Sequence, residues 1–164
     1  GARSERLHAQ AVALAHQRAL ELHLDDQPLL LLEDDVATEA NANWTLAVPA
    51  DADAVWVGIS RYGKPTVQPI NPSLSRIERM FSTHAVLYLS KSYKEHAIHC
   101  AEQCNSCWLP FDIGLSFYQK DFNVYALNQP AFFQANGKGQ HNFEALTRGS
   151  LLPSEGHGQR ALSA

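Results

Sequence analysis

Three consecutive acids, Glu33, Asp34 and Asp35, directly follow a run of four leucines in the sequence LLLLEDDV, residues 29–36. In an extended chain, residues two apart face the same side, which places Glu33 and Asp35 together and turns Asp34 away. Carboxylate oxygens suit Mg²⁺ or Mn²⁺, ions that often bridge to phosphate groups of a substrate. A solvated turn explains the same residues, because aspartate also favours turns and helix N-caps. The spacing alone leaves both interpretations open.

The acids lie at the end of a predicted strand, residues 28–33, whose apolar run without alternation is typical of a central strand in a parallel sheet. In open α/β sheets, ligands bind beyond the carboxyl ends of the strands, where these acids are placed. Ahead of the strand, apolar residues recur every three or four positions and predict an amphipathic helix from Ser4 to about Leu24. Pro28 then limits the helix, because proline disfavours helical backbone at the residue before it.

The remaining pattern alternates strands with helices and predicts an α/β layered fold in one domain, residues 1–134. The predicted elements are strands within 53–60 and 83–90, a helix over 91–104 capped by Ser90, a helical or mixed segment over 111–122, and a short strand with an extended arm in 123–134. The proline-rich segment 61–75 is predicted to be a loop that covers a site. The composition of 135–164 predicts a loosely ordered tail.

Composition excludes several classes of function. The chain has 164 residues, 45% of them hydrophobic, and a net charge of -4 with 13 Lys plus Arg. This charge balance argues against nucleic acid as the main partner. The longest aliphatic run, Leu29 to Leu32, is far shorter than a transmembrane helix requires, and the polar start does not resemble a signal peptide. We therefore expect a cytoplasmic protein.

Three cysteines, Cys100, Cys104 and Cys107, have the C-x3-C-x2-C spacing of radical-SAM enzymes. That class needs a strand before the first cysteine and most of a barrel after the last, whereas here a helix precedes and little chain follows. On a helix the three thiols share one face, where cysteine packs as a small hydrophobic residue. We predict core packing, with a zinc site that includes His96 or His99 as the lesser alternative.

Several blocks of the sequence resemble family-25 glycosyltransferases, the lipopolysaccharide- and collagen-type sugar transferases. The segment ALAHQRALELHLDDQPLLLLEDDV (13–36) is similar to the family's Ser-His-x-x-Ala-Leu helix and its Glu-Asp-Asp-Val strand end. Four further blocks follow in the family's order, DADAVWVG (51–58), FSTHAVLYLSKSYKEHAI (81–98), LPFDIGLS (109–116) and VYALNQPAFFQ (124–134). Together they cover roughly residues 13–134, which is far more specific than any single block.

The resemblance implies a GT-A-like (Rossmann-like) nucleotide-sugar transferase with a mostly parallel central sheet flanked by helices. It implies that Asp35 binds a Mn²⁺ or Mg²⁺ ion that bridges the diphosphate of the donor, and that Glu33 or Asp34 contacts the donor's sugar or ribose. Asp112 matches the family's acid in the Pro-x-Asp block and is assigned as the general base, with a helix N-cap as the alternative. His16 matches the motif histidine and is assigned to donor binding, with packing as its alternative.

His141 follows the last block at a position where a third ligand could close over the ion, with a solvated side chain as the alternative. The resemblance further implies UDP-galactose as donor, inversion at the anomeric carbon, and a saccharide or glycolipid acceptor in surface glycan biosynthesis, with peripheral membrane contact. The sequence leaves the oligomeric state open.

The sequence departs from the family pattern at several positions. Ala15 and Ser82 replace the family's serine and glycine, and the glycine and cysteine before that serine are absent. The resemblance begins at the first helix, so we expect the first nucleotide-binding strand to be missing from this chain. Two alternatives therefore stay open, a degenerate member that serves as a binding or scaffold module, and an unrelated metal-dependent enzyme that acts on phosphoesters.

Overall fold

The computed structural model describes residues 2–38, 45–60, 62–134 and 159–163. The helices within these ranges are α1 (Ala2–Leu22), α2 (Lys91–Cys107) and α3 (Phe111–Ser116), with a 3-10 turn at Gln119–Asp121. The strands are β1 (Leu29–Leu32), β2 (Val36–Thr38), β3 (Thr45–Pro49), β4 (Ala54–Trp56), β5 (Thr66–Pro69), β6 (Leu74–Arg79), β7 (Ala85–Tyr88), β8 (Val124–Leu127), β9 (Phe132–Gln134) and β10 (Gln159–Ser163).

The central sheet has six strands in the order β1-β7-β4-β8-β6-β5. Its neighbouring strands are antiparallel except for β4 and β8, which are parallel. The predicted α/β class is confirmed, but the prediction of a mostly parallel sheet is wrong. So is the central position predicted for β1, which is an outer strand among the described residues and antiparallel to β7.

Burial on both faces of the sheet explains this error. In β4, Ala54 and Trp56 join a core formed with α1, α2 and α3, whereas Val55 joins a second core on the opposite face. The leucines of β1 divide in the same way, since Leu29 and Leu31 pack against the first core and Leu30 against the second. A continuous apolar run in a strand therefore indicates that both faces of the sheet are covered. It does not indicate whether the neighbouring strand is parallel or antiparallel.

Strand direction nevertheless gathers one set of strand ends. Because β7 is antiparallel to both β1 and β4, and β4 is parallel to β8, the strands β1, β4 and β8 run in one direction. Their carboxyl ends lie at the same edge of the sheet as the start of β7. Residues 33–35 after β1 and residues 82–84 before β7 are therefore neighbours, and Glu33 N donates to His84 O at 2.9 Å.

Two small sheets lie beside the central one. β2 pairs antiparallel with β9, which sets Val36 opposite Gln134 and places that glutamine next to Asp35. β10 pairs antiparallel with β3, so residues 159–163 of the predicted tail form a strand. The residues between β9 and β10 lie outside the described part of the chain.

Most predicted elements are confirmed in place, including the cap of α2, where Ser90 Oγ accepts from Tyr93 N. The loop predicted over 61–75 is wrong, because β5 and the start of β6 form an antiparallel pair there. The prolines are tolerated because β5 is an outer strand and Pro69 ends it. No helix in the described ranges is long and apolar enough to cross a membrane.

Candidate functional site

Two adjoining cavities lie at the edge where β1 ends. The first, about 510 Å³, runs between α1 and the end of β1 and is called the Asp35 cavity. The second, about 410 Å³, lies between the start of α1, residues 81–83 and the start of α3, and is called the Asp112 cavity. Both are lined by His8, Val12, Glu33 and Gln134, so they meet at these four residues.

The cavities bring together every predicted site residue that the structure describes. His16, Glu33, Asp34 and Asp35 line the Asp35 cavity, and Asp112 lines the other. His141, the predicted third metal ligand, lies outside the described residues. The sequence prediction that these distant residues share one region is therefore consistent with the fold, although their chemical roles are a separate question.

Glu33 is held by a buried histidine and a threonine hydroxyl. Its Oε1 lies 3.1 Å from His16 Nε2 and accepts from Thr83 Oγ1 at 3.2 Å. Partial burial opposes ionisation of Glu33, but the hydrogen bonds and the nearby charge of His16 outweigh it, so the pKa of Glu33 lies below its ordinary value. Glu33 is therefore an anion with a fixed position, and one of its oxygens is already engaged by two partners.

His16 is buried, with 3% of its surface exposed, and its ring packs 4.8 Å from the ring of Phe111. Its position on α1 aims it at the end of β1, which explains its contact with Glu33 across 17 residues. His16 is therefore a packed residue, as the alternative interpretation expected, and its hydrogen bond also positions Glu33.

Asp35 differs from Glu33 because one of its oxygens lacks a partner. Oδ2 lies 3.4 Å from Gln134 Nε2, a long contact, whereas Oδ1 is buried and makes no hydrogen bond within the part of the chain that the structure describes. A buried carboxylate oxygen without a partner is costly, and a bound water or ion is a common explanation. Asp34 is exposed, as the alternation predicted, although residues 34 and 35 form a turn and not an extended strand.

A metal ion here would have few protein ligands. Among the described residues, no three His, Cys, Asp or Glu side chains are grouped as a metal site. Mg²⁺ and Mn²⁺ nevertheless bind proteins through one or two carboxylates when substrate phosphates and water complete the shell. Asp35, with its unpartnered oxygen, fits that role. Glu33, whose oxygen is already engaged, fits it less well.

Asp112 stands in the first turn of α3, and its two oxygens accept backbone N–H groups. Oδ2 accepts from Ser82 N and Oδ1 accepts from Ile113 N, both at 2.9 Å. The N-cap position of α3 belongs to Pro110, which has no capping side-chain bond, so the N-cap alternative for Asp112 is wrong. Asp112 instead links α3 to the segment before β7 and faces the Asp112 cavity.

Ser82 has a backbone conformation that is unusual for a residue with a side chain. Its φ is 74°, in the left-handed region that glycine adopts without strain and serine adopts at a cost. A glycine, which the family has at this position, suits this backbone. Here the serine keeps the conformation, with its N–H bonded to Asp112 and its Oγ to His84 Nδ1.

His84 is fully buried behind Ser82. Burial lowers the pKa of His84, and the charge of Glu33 and the Phe132 backbone act in the opposite direction with less effect. Gly58 packs directly against the imidazole ring, and a Cβ on Gly58 would overlap it. His84 is therefore a neutral, tightly packed residue that orients Ser82.

Sequence reasoning missed most of the lining of the Asp112 cavity. Thr83, Gln134 and Ser60 contribute polar groups, and Tyr62 and Phe81 contribute aromatic rings. Tyr62 lies in the segment predicted to cover a site, which was the one signal in the sequence for this part of the lining. The pairing of β2 with β9 that delivers Gln134 had no such signal, because the partners are 99 residues apart.

Acidic side chains dominate the charged groups that line both cavities. The described lining residues include acids and histidines but no lysine or arginine. A polyanionic ligand in either cavity would therefore meet like charge unless a cation accompanied it. Comparison of the chain with protein-family models, with curated proteins and with solved structures found no match.

Proposed function

We propose that the protein is a metal-dependent glycosyltransferase. In this proposal a nucleotide-sugar donor, UDP-galactose by the family resemblance, binds with Mn²⁺ or Mg²⁺ in the Asp35 cavity. A saccharide or glycolipid acceptor binds in the adjoining Asp112 cavity. The reaction belongs to surface glycan biosynthesis in the cytoplasm, on a GT-A-like fold.

The observation that carries the proposal is the buried Oδ1 of Asp35, which has no hydrogen-bond partner among the residues that the structure describes. A divalent cation bridging Asp35 to a diphosphate would satisfy this oxygen and remove the repulsion between the diphosphate and the acids around it. Without a cation, the acidic lining of the cavity would disfavour a nucleotide diphosphate. The same acids therefore favour a metal–nucleotide complex over a free nucleotide.

The position of the site agrees with the proposal. Ligands of open α/β sheets bind beyond the carboxyl ends of strands that run in one direction, and β1, β4 and β8 share such an edge. Asp34, exposed in the turn after β1 and without the hydrogen bonds that hold Glu33, would contact the sugar or ribose of the donor in this proposal. Glu33 and His16 would then fix the shape of the donor pocket.

In the transfer step, Asp112 would act as the general base. It takes the proton of the acceptor hydroxyl as the oxygen attacks the anomeric carbon, and the bond from that carbon to the diphosphate breaks. A divalent ion held by Asp35 would supply charge neutralisation for the departing UDP. Each Asp112 oxygen accepts one N–H group and retains a lone pair, so a hydroxyl can still donate to it.

Calorimetric titration of UDP and UDP-galactose tests the proposal, with Mn²⁺ and with a chelator. We expect binding that requires Mn²⁺ and that is lost in Asp35→Asn, which keeps the size of the side chain. Glu95→Gln, at an exposed position of α2, is the matched control and should bind as the wild type does. Metal-independent nucleotide binding, or equal binding by Asp35→Asn, would overturn the proposal.

The second candidate is a non-catalytic binding module. The small number of metal ligands among the described residues favours it. Mn²⁺-dependent UDP binding without any release of galactose from UDP-galactose, to a glycan acceptor or to water, would support this candidate. Transfer of galactose to an acceptor, abolished in Asp112→Asn, would support the enzyme instead. Phosphate release from simple phosphoesters without sugar transfer would indicate the unrelated enzyme class.

A further inference from the structure

We infer that the Asp112 cavity is a binding subsite for one neutral pyranose ring, stacked on Tyr62, which binds without metal or nucleotide. The inference rests on the proposed function, because this sugar would be the acceptor. It goes further by naming the ligand's charge class and the side chain that recognises its face. It also predicts that recognition of the acceptor sugar is independent of the donor.

Tyr62 has an aromatic surface available to a ligand. It lines the cavity while 71% of its surface is exposed, more than any other large hydrophobic residue among the described ranges. The negative face of an aromatic ring attracts weakly positive groups, and the C–H groups on one face of a pyranose are of that kind. An aromatic ring beside carboxylate and hydroxyl groups therefore matches a sugar, which has an apolar face and a polar rim.

The surrounding residues fix Tyr62 at the cavity mouth. Its ring centre lies 6.2 Å from that of Phe81, and its N–H donates to Ser60 Oγ at 3.1 Å. Gly63 has a φ of 73° and packs so closely on Phe81 that a Cβ would overlap the ring. Arg79 lies over Phe81 at 5.1 Å from its centre. Because these contacts already restrict the Tyr62 side chain, less conformational entropy is lost when a ligand orders its ring.

The polar groups of the cavity suit hydroxyl groups. Asp112 and Glu33 accept hydrogen bonds, and Thr83, Ser60 and Gln134 can donate or accept them. A volume of about 410 Å³ is in the usual range for small-ligand pockets. A sugar hydroxyl bonded to Asp112 would lie where the proposed base needs the attacking oxygen.

The charges exclude most other small ligands. Glu5, Glu33 and Asp112 line the cavity together with His8, and no lysine or arginine does so among the described residues. An anionic sugar, such as a uronate or a sugar phosphate, would meet three carboxylates there and no lysine or arginine to pair with. A neutral sugar meets no such repulsion, so the expected ligand is a pyranose without charged groups.

Ligand-observed NMR and calorimetry on the full chain, with chelator and without nucleotide, test the inference. The probes are the methyl α- and β-glycosides of galactose and glucose, with galacturonate, galactose 6-phosphate and galactosamine as charged partners. We expect at least one neutral glycoside to bind and the two anions not to bind. Tyr62→Ala should weaken binding about tenfold, whereas Tyr62→Phe, which keeps the ring, should stay within about threefold.

Tyr118→Ala is the matched control, since Tyr118 is an exposed tyrosine that does not line the cavity. Equal binding by wild type and Tyr62→Ala, equal binding of galacturonate, binding of galactosamine alone, or no binding of any neutral glycoside would each overturn the inference. Asp35→Asn should keep sugar binding while losing UDP binding. Sugar binding without Mn²⁺-dependent UDP binding would therefore contradict the proposed transferase but not the sugar subsite. Mn²⁺-dependent UDP binding without sugar binding would contradict the subsite alone.

Discussion

Replacing Lys94 with methionine tests whether a buried ammonium group holds the turn that leads into the acids. Lys94 lies on α2 with no exposed surface, and its Nζ donates to His23 O at 2.7 Å and to Asp26 O at 2.6 Å. Both carbonyls belong to the turn between α1 and β1. Burial lowers the pKa of Lys94, and the charges of Asp26 and Asp25 act in the opposite direction.

The size of the effect follows from these two bonds. A hydrogen bond from a charged group contributes about 1.5–3 kcal/mol, and the charge also favours the C-terminal end of α1, where it meets the helix dipole. Methionine keeps most of the aliphatic packing but removes both donors. Because the two contributions are not fully additive, we expect a loss of about 3 kcal/mol in the free energy of unfolding. For a chain of this length that loss lowers Tm by roughly 6–12 °C.

Urea denaturation of the wild type, Lys94→Met and Lys91→Met measures the effect. Lys91 is the matched control, because it also lies on α2 and reaches the same turn, with Nζ 2.6 Å from Asp25 Oδ1, but this pair is exposed. Exposed ion pairs contribute little, so Lys91→Met should leave the midpoint nearly unchanged. A loss in Lys94→Met no larger than that in Lys91→Met would refute the reasoning.

Three further predictions concern the site and the helix behind it. Gly58→Ala should reduce the free energy of unfolding by about 1–3 kcal/mol, because the added Cβ overlaps the buried His84 ring. In urea denaturation, the double variant Gly58→Ala/His84→Ala should lose less stability than the sum of the losses in the two single variants. The lowered pKa of Glu33 means that its carboxylate stabilises the fold above the ordinary carboxyl pKa of about 4.3, and this contribution is lost as the pH falls through the folded value. The gap in urea midpoint between wild type and Glu33→Gln should therefore narrow from pH 6 to about pH 3; a constant gap would contradict it. Burial raises the pKa of Cys100 to about 12, so iodoacetamide should alkylate the exposed Cys107 first in the native protein, and faster labelling of Cys100, read by mass spectrometry, would be the contrary result.

The elements of the fold could be predicted where local chemistry decides them. The periodicity of α1 and the serine before α2 each encode a helix boundary through the nearby backbone, and both were correct within a few residues. The loop prediction for residues 61–75 was wrong because the position of this segment in the whole fold decides its structure. Its prolines indicate a loop locally, but at the outer edge of a sheet a proline disrupts few ladder bonds, and edge position is a property of the whole fold.

The cysteines show the same limit at the scale of single side chains. The helical spacing correctly predicted that Cys100 and Cys104 are buried, and they pack near Gly114 of α3. It failed for Cys107, which is exposed because α2 ends there and the chain turns at Trp108. Periodicity assigns residues to a face of a helix, but the neighbouring elements determine how far along the helix that face is covered.

The sequence by itself determined which side chains were available for chemistry. Short-range patterns and residue type placed Glu33, Asp34 and Asp35 at a strand end, whereas His16 and Asp112 became candidates only through the family resemblance. Only the tertiary structure decided what each carboxylate contacts. Glu33 and Asp35 are two residues apart, yet one is bonded to His16 and Thr83 while the other keeps a buried oxygen without a hydrogen bond among the described residues. That difference depends on partners brought in by strand pairing and helix packing from distant parts of the chain, whose contacts leave no trace in local sequence.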